Sequence, residues 1–538
     1  MGQMTSRLRY PLHAYTGSVA EIITGRKRKR NEDSDSSNDE NNSALEKSLS
    51  TPKKKKLLTT TQYIYQALYK EEKNSDVTVL ALGKAWRLHK VYLCQSPYFF
   101  SMFNGSWKES CQDFIHIRIA DNKITLDALE AVFGSFYSDE IEIEPKKVIS
   151  ILATATLFQL EGIIDKCSEV MTETTNAETA IDYYEAACQY GVQNAKKAAF
   201  EWLETNLVGY YFKYVKYLKL INEELITALL SSPNLYVFQT EFSLYILLRL
   251  WMYLKFFPNY KPDDDFCKLP GNNPQTYFAE RSDKTPFLHT ADGREFIKPF
   301  QALRIQHLLN HNIDLKLVVQ DNIIPMEWLH PHIMSHWSSV LKVDHYAEEG
   351  PKDLQEEIFL KNSMRCGRVL QDPSYQKWRW TGFNFGLDLI LIADSGVLSI
   401  KRHHRNEYER LLSLKNKRQF MIRVTITSLN EQRQRSYSQT TGIMSLELEK
   451  NEDVSLLMMH PKLVHPLLIS VNLLINPPIP ELKPITENSS EEKNSNPISD
   501  IGENLSLANN GNSSRSNSPT RIGAGESDDR NNNVVGNF

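Results

Sequence analysis

The stretch from Asp76 to Phe103 restricts the possible folds of this chain more than any other part of the sequence. Apolar residues recur at every second position from Val77 to Ala81, which predicts a β-strand. Gly83 predicts a turn into a second strand. Ser96 and Pro97 predict the start of an aromatic-rich helix, because a serine hydroxyl caps free helical amides and proline fits the first turn.

This order of elements resembles the BTB/POZ domain. The matching pieces are Asp76–Val79, Leu88–Lys90, Ser96–Phe99 and Met102-Phe103. The resemblance implies a homodimer, with Ile64 and Leu68 on a dimerising helix at 61–73. It also implies that Asp76 and Lys90 line a pocket near the dimer interface. The alternative interpretation of these two residues is a surface pair and a turn-forming residue.

Some BTB domains bind cullin-3, and this chain contains a pattern that resembles their contact element. Trp107-Lys108-Glu109 follows the aromatic helix, as a hydrophobic-x-Glu element does in that group. An apolar side chain would fill a pocket on cullin, and the carboxylate would fix the register. The contact set that the resemblance implies is Tyr98, Phe99, Met102, Phe103, Trp107, Glu109 and Tyr137. A half-buried tryptophan in a turn is the alternative interpretation of Trp107.

Residues 1–60 are predicted to be a disordered arm with basic and acidic runs. Gly2 and Ser6 fit the N-myristoylation pattern, and a single acyl chain needs a second signal to hold a membrane. The basic runs consist of Arg26, Lys27, Arg28, Lys29, Arg30, Lys53, Lys54, Lys55 and Lys56. The first run, 26–30, is a candidate for that second signal. Both runs predict nuclear import, with a solvated linker as the alternative. Acylation and import together favour the nuclear envelope.

The remaining chain divides by composition. We expect a BTB/POZ domain at 61–173, a helical region resembling the BACK region at 176–258, and a linker rich in Pro, Asp and Asn at 259–295. From 296 to 476, alternating runs such as Phe420–Ile426 predict antiparallel sheets of a sandwich-like domain. Residues 477–538 are predicted to be a disordered tail. No repeat near 50 residues occurs, so a kelch propeller is not expected.

The segment Trp378–Gly386 resembles the C-terminal domain of the germ cell-less family, as does the combination of BTB and BACK-like regions with the N-terminal signals. The resemblance implies an α+β protein that recruits a protein substrate to a cullin-3 RING ubiquitin ligase. It also implies a site of action at the nuclear envelope and a role in germ cell formation. The alternative is a nuclear-envelope scaffold or transcription-linked interaction protein that uses the BTB domain only for self-association.

No nucleophile elbow, P-loop, dinucleotide fingerprint or HExxH motif occurs, so neither an enzyme nor a cofactor is expected. His330, His332 and His336 cluster, but no further ligand is evident, which favours packed or surface histidines over a metal site. The net charge is −4 and the basic runs lie in the arm, so nucleic-acid binding is not expected.

Two further features bear on the compartment. The six cysteines are spaced singly and form no C-x-x-C pair, which fits a reduced compartment. The apolar window Phe242–Phe257 contains Arg249 and Lys255 and is too short for a membrane span, so a buried helix is expected there.

Overall fold

The computed structural model describes residues 59–105, 112–212, 214–261, 273–352, 354–380 and 384–478. Outside these residues lie Gly2, the two basic runs, Trp107, Glu109 and residues 479–538 of the predicted tail. The expectations for those segments therefore remain predictions.

The first part of the described chain is a three-stranded sheet covered by helices. The strands are β1 (Val77–Ala81), β2 (Lys84–Leu88) and β3 (Phe114–Ile117), with β1 antiparallel to β2 and parallel to β3. The helices are α1 (Thr60–Ile64), α2 (Lys90–Leu93), α3 (Pro97–Asn104), α4 (Leu126–Ser135), α5 (Val148–Leu157) and α6 (Glu161–Thr174). The predicted hairpin and helix start are confirmed, and Ser96 caps α3 by accepting the amide of Phe99.

The helix expected at 61–73 is present in a shorter form. Thr59 begins α1 with a capping box, because its hydroxyl accepts the amide of Gln62 at 3.2 Å and its own amide donates to the Gln62 side chain at 3.1 Å. The helix continues as a π-helical turn, Tyr65–Lys70. Its inner face buries Ala67 and Tyr69.

A helical region follows without a break in the core. Its helices are α7 (Ala180–Tyr190), α8 (Gln193–Asn206), α9 (Val215–Leu218), α10 (Glu223–Ser231) and α11 (Phe242–Phe256). Tyr183 of α7 and Ala195 of α8 belong to the same apolar cluster as Val79 of β1. The first two helices therefore complete the core of the preceding sheet, and the two regions form one body.

The structure differs from the expected linker at 259–295 and from a strand-rich region that begins at Phe296. Phe278, Phe287 and Leu288 are buried in the cluster around α11, so described residues of that segment belong to the helical core. Four further helices follow before any strand: α12 (Ile297–Gln301), α13 (Asn312–Asp321), α14 (Met326–Asp344) and α15 (Glu356–Asn362). The polar composition of this segment suggested a linker, but a few buried apolar residues are sufficient to attach it to the helical core.

The strand-rich region begins at Met364 and forms two four-stranded antiparallel sheets. The strands are β4 (Met364–Leu370), β5 (Gln376–Trp378), β6 (Asp388–Asp394), β7 (Val397–His403), β8 (Lys417–Leu429), β9 (Arg435–Glu449), β10 (Asp453–Met458) and β11 (Leu467–Leu474). One sheet has the order β10-β7-β6-β5 and the other β4-β11-β8-β9. Side chains of both sheets, such as Leu391 and Val424, share one apolar cluster. The predicted sandwich and the α+β class are confirmed.

The turn between β8 and β9 joins the sandwich to the helical region. Arg433 Nε donates to Asn206 Oδ1 at 2.7 Å, and Asn206 Nδ2 donates to the Arg433 carbonyl at 3.0 Å. Gln434 Nε2 donates to carbonyls at the end of α6 and just beyond it, including that of Thr175 at 2.9 Å. These contacts hold the sandwich against both the BTB-like part and the helices.

Candidate functional site

Helix α3 is fixed on the core by one fully buried aromatic ring. Phe99 has no exposed surface and stacks on Phe158, with ring centroids 5.1 Å apart. The hydroxyl of Ser96, the capping residue, also donates to the Phe158 carbonyl at 2.6 Å. The helix is therefore held at its start by both packing and hydrogen bonds, and its remaining face is presented in a defined orientation.

The aromatic and Met residues of α3 divide into an inner and an outer set. Tyr98, Met102 and Phe103 are half-buried, so each presents part of its surface to solvent. Phe99 is buried and cannot touch a partner directly, which corrects its place in the predicted contact set. Phe100 was not predicted, yet its side chain is 54% exposed. The helical period contains this signal, since Phe99 and Phe103 share one face while Phe100 points away from it.

Tyr137 is also a core residue rather than a surface residue. It is buried, and its hydroxyl accepts the His89 amide at 2.9 Å and lies 3.1 Å from His89 Nδ1. Burial raises the pKa of the Tyr137 hydroxyl. His89 Nε2 in turn lies 2.8 Å from the Lys73 carbonyl. Tyr137 therefore fixes the turn before α2 from inside, and the prediction that it contacts a partner is corrected.

Asp76 and Lys90 lie close together, but their side chains do not pair with each other. Asp76 Oδ1 accepts the backbone amide of Lys90 at 2.8 Å, so Asp76 caps α2. Lys90 Nζ pairs instead with Asp113 at 3.3 Å and lies 5.7 Å from the centroid of the Phe103 ring. Asp76 therefore caps the start of α2, and Lys90 forms an ion pair with Asp113 beside the outer face of α3. The pocket near the dimer interface remains a prediction.

The predicted dimerising helix has one exposed aromatic residue. Ile64 and Leu68 are half-buried and pack against the core. Tyr63, beside Ile64, has 62% of its surface exposed. A BTB/POZ domain is a self-association module, and this face offers an apolar side chain for it.

The three neighbouring histidines lie on α14 and do not converge with other metal-binding side chains. Burial lowers the pKa of both His332 and His336, and His336 packs edge-on against Phe385 with centroids 4.9 Å apart. Within the described ranges, no group of three or more His, Cys, Asp or Glu is suited to hold a metal ion. Nor is any helix of the described chain long and apolar enough to cross a membrane.

Comparison with known proteins agrees with this architecture. Residues 65–175 match the BTB/POZ domain. The chain is 55% identical over 468 residues to "Protein germ cell-less" of Drosophila melanogaster, which covers 82% of each chain. It is 37% identical over 417 residues to "Germ cell-less protein-like 1" of Homo sapiens, covering 77% of this chain and 80% of the relative.

Other BTB proteins match over a shorter region. "Kelch repeat and BTB domain-containing protein 8" of Xenopus tropicalis is 28% identical over 178 residues, which is 33% of this chain and 28% of that protein. The similarity to the germ cell-less proteins extends over more than three quarters of the chain, so it includes sequence beyond the BTB/POZ domain. The chain belongs to the germ cell-less family of BTB/POZ proteins.

Proposed function

We propose that this protein is a substrate-recruiting adaptor of a cullin-3 RING ubiquitin ligase. The observation that carries the proposal is the outer face of α3, where Phe100, Met102 and Phe103 are partly exposed on a helix that Phe99 anchors in the core. Partly exposed apolar side chains on a rigid helix are typical of protein-docking sites. Trp107 and Glu109 follow this helix in the sequence and complete the proposed contact.

The coupling between regions supports an adaptor. The BTB core continues into α7 and α8, and the β8–β9 turn is bonded to Asn206 at the end of α8. A domain that binds a substrate is thereby held at a defined distance from the domain that binds cullin. The recruited enzymes would supply the chemistry, and this chain would raise the effective concentration of the substrate.

The proposed site of action is the nuclear envelope. This part of the proposal is based on the acylation pattern at Gly2 and on the basic runs at 26–30 and 53–56. A role in germ cell formation is proposed from the names of the relatives. Fractionation of a Gly2→Ala variant tests the membrane part, since an acyl anchor requires Gly2, and an unchanged distribution would rule it out.

Calorimetry of the purified chain with the N-terminal region of cullin-3 tests the ligase proposal. Glu109→Lys is expected to weaken binding more than Glu109→Ala, because it places a charge of the wrong sign at the contact. Trp107→Ala removes the apolar anchor, with an expected cost of about 2 kcal/mol. As a control, light scattering compares the oligomeric state of each variant with that of the wild type. Unchanged affinity in a Trp107→Ala, Glu109→Lys double variant would leave the alternative, a scaffold that uses the BTB/POZ domain only for self-association.

A further inference from the structure

The outer face of the sheet β10-β7-β6-β5 carries a cluster of basic side chains. Leu389 and Leu391 of β6 point into the sandwich core, so Asp388 points outward by strand alternation. His403 of β7 is paired directly opposite Asp388, and Lys377 of β5 is opposite Ile392. Strand pairing therefore places Lys377, Asp388 and His403 on one face.

Asp388 fixes two arginines at this face. Its Oδ2 atom lies 3.2 Å from Arg379 Nη1 and 3.3 Å from Arg405 Nη2. The Asp388 side chain is fully buried, whereas the side chains of Arg379 and Arg405 are 39% and 30% exposed. One buried carboxylate thus orients two arginine side chains that are each partly exposed, which reduces the entropy lost when they bind a ligand.

The cluster has an excess of positive charge. Lys377, Arg379 and Arg405 carry three positive charges, whereas strand alternation places two carboxylates, Asp388 and Asp394, on this face of β6. Lys401 on the same face is offset by Asp453, with Nζ and the carboxylate oxygen 3.7 Å apart. Burial lowers the pKa of His403, Asp388 raises it, and Arg405, Arg379 and Lys377 lower it, which agrees with their position on one face.

We propose that this basic cluster binds an acidic segment of a partner protein, docked in an extended conformation beside β5. The cluster is compact, so it matches a few carboxylates better than the long phosphate track of a nucleic acid. Strand β5 is at the edge of its sheet in the described chain, and such an edge accepts an added strand by backbone hydrogen bonds. Insofar as the partner is the substrate of the ligase, this inference depends on the adaptor function proposed above.

Fluorescence polarisation with the full chain tests the inference. The probe is a labelled glutamate-rich peptide, and the control is a glutamine-rich peptide of the same length. The wild type is expected to bind the glutamate peptide selectively, with an affinity that falls as salt is added. A Lys377→Gln, Arg379→Gln double variant is expected to bind about tenfold more weakly, since each of the two lost charge contacts is worth about threefold in affinity.

Two further variants keep the result interpretable. Lys377→Gln alone does not touch Asp388, so it leaves the buried carboxylate paired and is expected to weaken binding about threefold. Lys197→Gln removes an exposed charge from α8 and is expected to change nothing.

Equal binding of the two peptides, or unchanged binding in the double variant, would overturn the inference. So would binding of phosphatidylserine vesicles without binding of the glutamate peptide. The same variants are titrated with cullin-3, and their affinity is expected to equal that of the wild type. Failure of the wild type to bind cullin-3 would count against the adaptor function and leave the peptide result standing.

Discussion

Glu241 and Arg365 form a buried ion pair between the helical region and the sandwich. Arg365 Nε donates to Glu241 Oε2 at 3.0 Å, and Arg365 Nη2 contacts the other carboxylate oxygen. The same carboxylate accepts the Arg304 amide at 3.0 Å. Arg365 also donates to the carbonyls of Leu230 and Ser232 at 2.7 and 2.9 Å. The first residues of β4 are thereby tied to the end of α10 and the start of α11.

Glu241→Gln is expected to destabilise the chain by about 3 kcal/mol, because it leaves a buried arginine without its countercharge. The control is Glu201→Gln, which removes an exposed partner of Lys197 and is expected to cost less than about 1 kcal/mol. Thermal unfolding followed by circular dichroism compares the two variants. Equal melting temperatures would show that the buried pair contributes no more than a surface pair.

His307 makes the stability depend on pH. Its ring is buried, Nε2 lies 2.6 Å from the Asn362 carbonyl, and burial lowers its pKa to about 4. Between pH 6.5, the ordinary pKa of histidine, and pH about 4, the pKa in the folded chain, His307 is protonated in the unfolded chain but neutral in the folded chain. The stability is fully present above that range and is lost as the pH falls through it, by up to about 3 kcal/mol.

His307→Gln separates this effect from other titrating groups. Glutamine keeps a donor for the Asn362 carbonyl but does not titrate. The difference in melting temperature between wild type and variant is expected to shift in favour of the variant as the pH is lowered from neutrality toward 4.5. Carboxyl groups such as Glu241 titrate in both proteins, so their effect on the melting temperature cancels in the difference. A difference that is constant with pH would contradict the assignment.

Two glutamines of the same hairpin test the joint at the β8–β9 turn. Gln434 Nε2 reaches the Thr175 carbonyl, whereas Gln439 Nε2 donates to the Met458 carbonyl at 2.9 Å within the sandwich. Gln434→Ala is expected to speed hydrogen exchange of the turn and of the segment after α6 about fivefold, since a lost hydrogen bond is worth about 1 kcal/mol. Gln439→Ala is expected to leave exchange after α6 unchanged, and equal effects would argue against a joint.

Local patterns predicted the elements of this fold better than their assembly. The hairpin, the Ser96 cap and the alternation around Phe420–Ile426 each depend on neighbouring residues, so the sequence alone contained them. The burial of Phe278 and the ion pair of Arg365 with Glu241 depend on residues far apart in the chain, and no local pattern of apolar residues predicts such contacts.

The candidate site shows the same division. The sequence shows that α3 is rich in aromatic residues, but the presence of these residues does not predict that Phe99 is buried and Phe100 exposed. The resemblance placed Tyr137 in the contact set, and the structure buries it against His89. Which side chains are available to a partner is decided by packing from distant helices, such as Phe158 at the end of α5.

Two exposed aromatic residues separate cullin binding from self-association. Phe100→Ala on α3 is expected to reduce affinity for the cullin-3 N-terminal region by about 1–2 kcal/mol without affecting the dimer. Tyr63→Ala on α1 is expected to weaken the dimer and leave the affinity per chain unchanged. Both side chains are largely exposed, so neither substitution should disturb folding, whereas Phe99→Ala is expected to cost about 3–5 kcal/mol of stability.

Calorimetry and light scattering on the same preparations measure the two properties independently. The faces are distinct if each variant changes only its own measurement. If Phe100→Ala leaves cullin affinity unchanged while Glu109→Lys lowers it, the contact lies after α3 rather than on it. If Tyr63→Ala remains a dimer at the lowest concentration measured, self-association uses another surface, and the dimerising role of α1 is wrong.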